Sequence, residues 1–94
     1  MTDPTLNHLC DYALKLSYRD LPEEVIRRTK HIVIDTVGCA LGGAESPPAK
    51  IARAAASEIT SAIPSTVLIS GRKTSPDLAA FANGVMIRYL DFND

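Results

Sequence analysis

The segment from residue 78 to residue 90 is apolar on every side of a helix, and its polar interruptions are Asn83 and Arg88. Helix start signals precede it, since Ser75 can cap, the following proline suits the first turn, and Asp77 complements the positive end of the helix dipole. A helix that is apolar all round belongs in a core. A chain of 94 residues has few other elements with which to enclose one. We therefore expect this chain to be the N-terminal fragment of a larger protein.

Three more helices are predicted before that segment. The first covers residues 5–17, where apolar residues recur at spacings of three and four. The second covers residues 22–41, begins at a proline followed by two glutamates, and ends at Gly42 and Gly43, where a glycine can take the left-handed cap. The third runs from about residue 46 to residue 61 with a stripe that is mostly alanine.

The remaining residues predict one short extended segment, at residues 66–69, followed by a polar loop at residues 71–74. The fold class is therefore all-α, a bundle of about four helices in which residues 1–94 form a single piece of a larger helical domain. The second and fourth helices are expected to pack on each other. Their expected shared core consists of Val33, Val37, Phe81 and Val85.

Composition excludes several classes of protein. The formal net charge is −1 and aromatic residues make up 5% of the chain, which leaves neither the basic patch nor the stacking residues of a nucleic-acid-binding protein. No apolar run approaches the ~18 residues that span a bilayer. His8 and His31 have no second ligand at metal spacing, so we interpret both as surface residues. These patterns predict a cytoplasmic protein with no nucleic-acid or membrane partner and no metal.

Two stretches of the chain resemble the MmgE/PrpD family: IDTVGCALGG at residues 34–43, and AAFANG with LDFND between residues 79 and 94. The resemblance extends over residues 6–94. It implies a protein of several hundred residues with a large helical domain and a smaller α/β domain, acting as a homodimer on a small polycarboxylate substrate. It implies no metal or organic cofactor.

The family includes 2-methylcitrate dehydratases of propionate catabolism, cis-aconitate decarboxylases and iminodisuccinate epimerases. Within it, we take dehydration of 2-methylcitrate, a lyase reaction, as the leading expectation. Decarboxylation of cis-aconitate and epimerisation of iminodisuccinate are the alternatives. A non-enzymatic helical module, whose apolar fourth helix docks into a partner, is the alternative from another class.

Asp91 is the candidate catalytic residue. It directly follows the apolar helix, where desolvation would raise the pKa of its carboxyl group and favour a protonated proton donor beside an anionic substrate. Without the resemblance, the simpler interpretation is an ion pair with Arg88 one turn earlier. The family pattern often has Asp where this chain has Asn93, and we interpret Asn93 and Asp94 as residues that shape a turn.

Two other positions are interpreted structurally. Gly84 interrupts the fourth helix after Asn83, and close helix packing explains a glycine there better than contact with a ligand does. Asp35 lies between Ile34 and Thr36 and is expected to be a buried, hydrogen-bonded acid.

Overall fold

The computed structural model describes residues 3–91 and is predominantly helical, which confirms the predicted fold class. The chain divides into two compact units, residues 1–30 and residues 31–94. The boundary between the units lies within the second helix. The described elements in chain order are α1 (Pro4–Lys15), a single 3-10 turn (Tyr18–Asp20), α2 (Glu23–Gly43), α3 (Pro47–Ser57), β1 (Ser65–Thr66), β2 (Lys73–Thr74) and α4 (Pro76–Arg88). None of the helices among residues 3–91 is long and apolar enough to cross a membrane.

Side-chain caps fix the start of α1 and of the 3-10 turn in the first unit. Asp3 accepts hydrogen bonds from the backbone N–H groups of Thr5, at 2.9 Å, and Leu6, at 3.2 Å. The Asp20 carboxylate accepts hydrogen bonds from the Ser17 backbone N–H, at 2.9 Å, and from the Ser17 hydroxyl, at 3.1 Å, at the start of the 3-10 turn. No residue of α1 is buried, so local signals and not core packing define this helix.

The second unit contains the core, which forms where α3 packs on α4. Alanines dominate this core, as the stripe of the third predicted helix suggested, and Met86 is its largest fully buried apolar side chain. Small side chains let the two helix backbones approach closely but bury little area each. The buried residues of the cluster are Ala40, Ala44, Ala49, Ala52, Ala56, Val67, Ala79, Ala82 and Met86.

The predicted core between the second and fourth helices is wrong. Val33 is 54% exposed, Val37 41% and Phe81 59%, while Val85 is only partly buried. The prediction is wrong because α4 packs its alanines and Met86 against α3.

Gly42 and Gly43 mark a close contact and not the predicted left-handed cap. Both belong to α2, and the described glycine with a positive φ is Gly71. A Cβ atom on Gly43 would collide with the Met86 carbonyl oxygen, and one on Gly42 would lie 2.5 Å from Leu90 Cδ1. Gly84, by contrast, has no atom within 4 Å of a Cβ position, so the close packing expected there is also wrong.

The segment after α3 is a hairpin and not a single extended stretch with a loop. β1 and β2 pair antiparallel with Ser65 opposite Thr74 and Thr66 opposite Lys73. The expected extended run of residues 66–69 is therefore wrong beyond Thr66, because the chain turns at residues 68–70. Ile69, with φ 72°, and Gly71, also with φ 72°, supply the left-handed backbone of that turn.

The hairpin also explains why α3 ends at Ser57, before the predicted residue 61. The buried Thr74 hydroxyl lies 2.7 Å from the Ala56 carbonyl oxygen and 3.1 Å from that of Ile59, so its proton is shared between the two. These bonds satisfy carbonyl groups that a longer helix would have satisfied internally.

Candidate functional site

Asp91 lies in the turn that follows α4. Its backbone N–H donates to the Arg88 carbonyl oxygen at 3.0 Å, and its φ of 58° is in the left-handed region. That region is uncommon for residues other than glycine, although Asp and Asn adopt it several times more often than most. The sequence predicted that Asp91 directly follows the apolar helix, whereas α4 ends at Arg88 and two turn residues precede Asp91.

Packing on α2 and α3 holds the last turn of α4 just before Asp91. Met86 is fully buried, and its carbonyl oxygen lies against Gly43. The Arg53 guanidinium donates to the Ala44 carbonyl oxygen and lies 3.5 Å from Met86 Sδ. The end of α4 is therefore held by the buried Met86 side chain and by the close approach of Gly43 to the Met86 carbonyl group.

The Asp91 carboxylate faces water and pairs with Arg88. Its side chain is 69% exposed and that of Arg88 is 70% exposed. The burial on which the predicted proton-donor chemistry depended is thus absent from the part of the chain that the structure describes. The ion pair that the residues alone suggested is present. Between two solvated side chains such a pair stabilises the fold by a fraction of a kcal/mol, about 0–1.

This arrangement brings one carboxylate and one guanidinium together at a helix end. A carboxylate can give or take a proton, and a guanidinium can bind a substrate carboxylate through two parallel hydrogen bonds. Turnover requires these groups to be held against the substrate, and both are solvent-exposed here. The catalytic role of Asp91 therefore stays a prediction.

Asp35, His8 and His31 are further described residues that the sequence singled out. Asp35 is exposed, so its expected burial is wrong, because α2 is exposed on all sides around it, including at Val33 and Ile34. His8 and His31 are exposed, as predicted. Asn93 and Asp94, interpreted as turn residues, lie outside the described residues.

Sequence reasoning missed the role of Asn83. Its Oδ1 accepts a hydrogen bond from the Leu68 backbone N–H at 2.8 Å, and its Nδ2 donates to the Thr66 carbonyl oxygen at 3.1 Å. The side-chain amide thereby ties the hairpin to α4. The signal in the sequence was an amide inside an apolar helix, which needs partners when it is shielded from water.

Comparison with known proteins bears on the whole chain. The MmgE/PrpD N-terminal domain matches residues 7–94. The chain is 29% identical over 86 residues, 92% of its length, to the cis-aconitate decarboxylase-like protein oryM of Aspergillus oryzae. It is 27% identical over 88 residues, 94% of its length, to a cis-aconitate decarboxylase of Aspergillus terreus.

The chain spans 18% of the length of each of these two relatives. No solved structure matches it. The family match covers both stretches that carried the resemblance, IDTVGCALGG and AAFANG with LDFND. The chain belongs to the MmgE/PrpD family, as part of its N-terminal domain.

Proposed function

We propose that this chain is the N-terminal part of a lyase that acts on a small polycarboxylate. The supporting observation is the family match over residues 7–94, together with relatives that are named cis-aconitate decarboxylases. At 27–29% identity those names support the reaction class more than the substrate.

Two lyase reactions are candidates. Decarboxylation of cis-aconitate breaks a carbon–carbon bond, releases carbon dioxide and adds a proton to the remaining carbon. Dehydration of 2-methylcitrate removes a proton next to a carboxylate and expels hydroxide from the neighbouring carbon. The relatives' names favour the first, and the second is the leading expectation from the sequence resemblance. Both reactions need a proton-transfer group and cations for the substrate carboxylates.

In this proposal Asp91 transfers the proton, and the protein works as a cytoplasmic homodimer without a metal. The Asp91–Arg88 pair then has to open so that each side chain can meet substrate. Because both side chains are mostly exposed, opening the pair costs at most about 1 kcal/mol.

The experiment uses the product of the longest reading frame that contains this chain. The purified protein is assayed for carbon dioxide release from cis-aconitate, formation of a double bond from 2-methylcitrate, and change of optical rotation with iminodisuccinate. Turnover of either of the first two supports the lyase proposal and identifies the reaction. Turnover of iminodisuccinate alone would reassign the protein to an isomerase. Failure of all three would favour the helical interaction module.

Asp91→Asn tests the catalytic residue in the same protein. General acid or base catalysis contributes about 100-fold or more, so kcat should fall by that factor while the far-UV spectrum is unchanged. Asp35→Asn is the matched control, because it removes an exposed acid of the same size from α2. Wild-type turnover by Asp91→Asn would leave Asp91 with only its Arg88 ion pair.

A further inference from the structure

An Asn–Gly pair, Asn83 and Gly84, lies inside α4. Asn83 is half-buried, whereas Gly84 is exposed and has no described atom within 4 Å of a Cβ position. Packing does not require this glycine, and a glycine destabilises a helix interior relative to alanine. The pair therefore combines a weak point of the helix with the side-chain amide that ties the hairpin to α4.

An asparagine that precedes glycine can react with its own backbone. The Gly84 nitrogen loses its proton to hydroxide and attacks Asn83 Cγ, so that a carbon–nitrogen bond forms there. The bond from Cγ to Nδ2 breaks, and the leaving nitrogen takes a proton from water and departs as ammonia. Water then opens the resulting five-membered imide at one of its two carbonyl groups, which gives aspartate or isoaspartate. Glycine favours the attack because it has no side chain in the way and adopts many backbone conformations.

The folded chain opposes this reaction at both reacting groups. In an α-helix the N–H of residue 84 donates to the carbonyl oxygen of residue 80, and the helical ψ of about −42° does not suit closure of the ring. Asn83 Oδ1 accepts from the Leu68 N–H at 2.8 Å, and its Nδ2 donates to the Thr66 carbonyl oxygen at 3.1 Å. These two bonds fix which way the amide points, because an N–H only donates and a carbonyl only accepts.

Separation of the hairpin from α4 releases the amide. Asn83 then loses both of its partners, and the exposed turn around Gly84 can unwind. Folded proteins open locally in this way at free energies below that of global unfolding. When opening and closing are fast, the reaction rate is the population of the open form multiplied by the rate in an unfolded chain.

We propose that Asn83–Gly84 is a self-modification site that reacts when the hairpin leaves α4 and then prevents the hairpin from returning. An ionised aspartate at position 83 only accepts hydrogen bonds, so it places a second acceptor against the Thr66 carbonyl oxygen. Isoaspartate adds a methylene group to the main chain and so disrupts the hydrogen bonds of α4. Both products favour the released hairpin, which makes the change permanent. This site does not depend on the lyase proposal.

Incubation of the purified chain in mildly alkaline buffer, with and without denaturing urea, tests the reaction. The readouts are the mass increase from amide to acid and an enzymatic assay for isoaspartate, both on the peptide that contains Asn83. We expect conversion in urea to be about tenfold faster or more, because two hydrogen bonds and the helix protect the folded pair. Gly84→Ala should remove the fast reaction in urea. Equal rates with and without urea would overturn the protection, and no conversion in urea would overturn the site.

Hydrogen exchange of the Leu68 N–H identifies the opening, because this group donates to Asn83 Oδ1. Thr74→Val removes a hydroxyl that bonds the hairpin to the end of α3, and it should speed Leu68 exchange and Asn83 conversion by the same factor, about threefold to tenfold. Thr60→Val is the matched control at an exposed position, and both rates should change by less than about twofold. Sub-denaturing urea applies the same comparison to the unchanged chain. Faster exchange without faster conversion would overturn the hairpin as the gate.

Asn83→Asp reproduces one product and tests whether the change is permanent. Its Leu68 N–H should exchange about tenfold faster or more than in the unmodified chain, because the contact with Thr66 is lost. Gly84→Ala keeps the amide, so its Leu68 N–H should exchange no faster than in the unmodified chain. Unchanged exchange in Asn83→Asp would show that the hairpin returns to α4 and would overturn the permanent release.

Discussion

Gly43 and Gly84 are helical glycines with opposite surroundings. Gly43 lies against the Met86 carbonyl group and the Tyr89 side chain, whereas Gly84 faces open space. Within a helix, alanine is about 1 kcal/mol more favourable than glycine when its methyl group meets no other atom. Contact with neighbouring atoms therefore decides whether a change from Gly to Ala stabilises or destabilises the fold. We predict that Gly43→Ala lowers the free energy of unfolding by about 1–3 kcal/mol and that Gly84→Ala raises it by about 0.5–1 kcal/mol. Urea unfolding of the two variants measures both.

A stabilising Gly43→Ala would contradict the close approach of α2 to the end of α4. The pair also shows why residue identity did not predict packing. The second helix ends at Gly43, as predicted, but Gly42 and Gly43 form no left-handed cap, and Gly84 is not a packing residue. A glycine permits close approach, but only the distant residue that approaches it, here Met86, determines whether the space is used.

Thr74 connects the hairpin to the end of α3. Its buried hydroxyl bonds the Ala56 and Ile59 carbonyl oxygens. Thr74→Val keeps the side-chain shape but leaves the Ile59 carbonyl without this donor, so we predict a loss of about 1–2 kcal/mol of unfolding free energy. Thr60→Val is the control, because Thr60 is exposed and its change should stay within about 0.5 kcal/mol. Equal losses in thermal or urea unfolding would show that the hydroxyl bond does not hold the hairpin.

Asp77 makes the start of α4 sensitive to acid. The Ser75 hydroxyl, and then the backbone N–H groups of Asp77 and Leu78, hydrogen-bond its carboxylate and hold its pKa below the ordinary value of 3.8. A carboxyl group with a lowered native pKa stabilises the fold above its unfolded pKa and loses that contribution as pH falls through the native value. We predict an Asp77 pKa below 3.8 in an NMR titration. Ser75→Ala should move it back toward 3.8, and no movement would exclude the Ser75 bond as the main cause.

The helices of this chain could be predicted because their signals are local. Prolines begin both α3 and α4, and the Ser46 side chain caps α3, whereas Ser75 makes no side-chain cap at the start of α4. The end of α3 and the packing partners of the helices could not be predicted, because they depend on distant groups such as Thr74. The same difference between local and distant contacts applies to the candidate site. Asp91 and Arg88 are neighbours in sequence, whereas the Asn83 side chain bonds backbone groups 15 and 17 residues away, which no local signal identifies.

At the scale of the whole chain, the unburied apolar surface is not confined to α4, where the sequence predicted it. The sequence suggested α4 as a helix with too few neighbours, yet α3 and the hairpin cover one of its faces. In the first unit α1 buries no residue, and Leu14 is 83% exposed. In the second unit Ile34 is 69% and Leu41 60% exposed on α2. Large apolar patches usually mark contact surfaces, which accords with a chain that spans 18% of its relatives' length.

We predict that the 94-residue chain by itself does not turn over 2-methylcitrate, cis-aconitate or iminodisuccinate. A working site holds a proton-transfer group and cations to within about 0.5 Å of the substrate. Asp91 and Arg88 are both mostly exposed and pair with each other, so the chain by itself does not hold them against a substrate. Purified chain is incubated with each compound, and product is measured against buffer alone. Turnover above that background, absent from Asp91→Asn, would show that these residues suffice for catalysis and contradict the prediction.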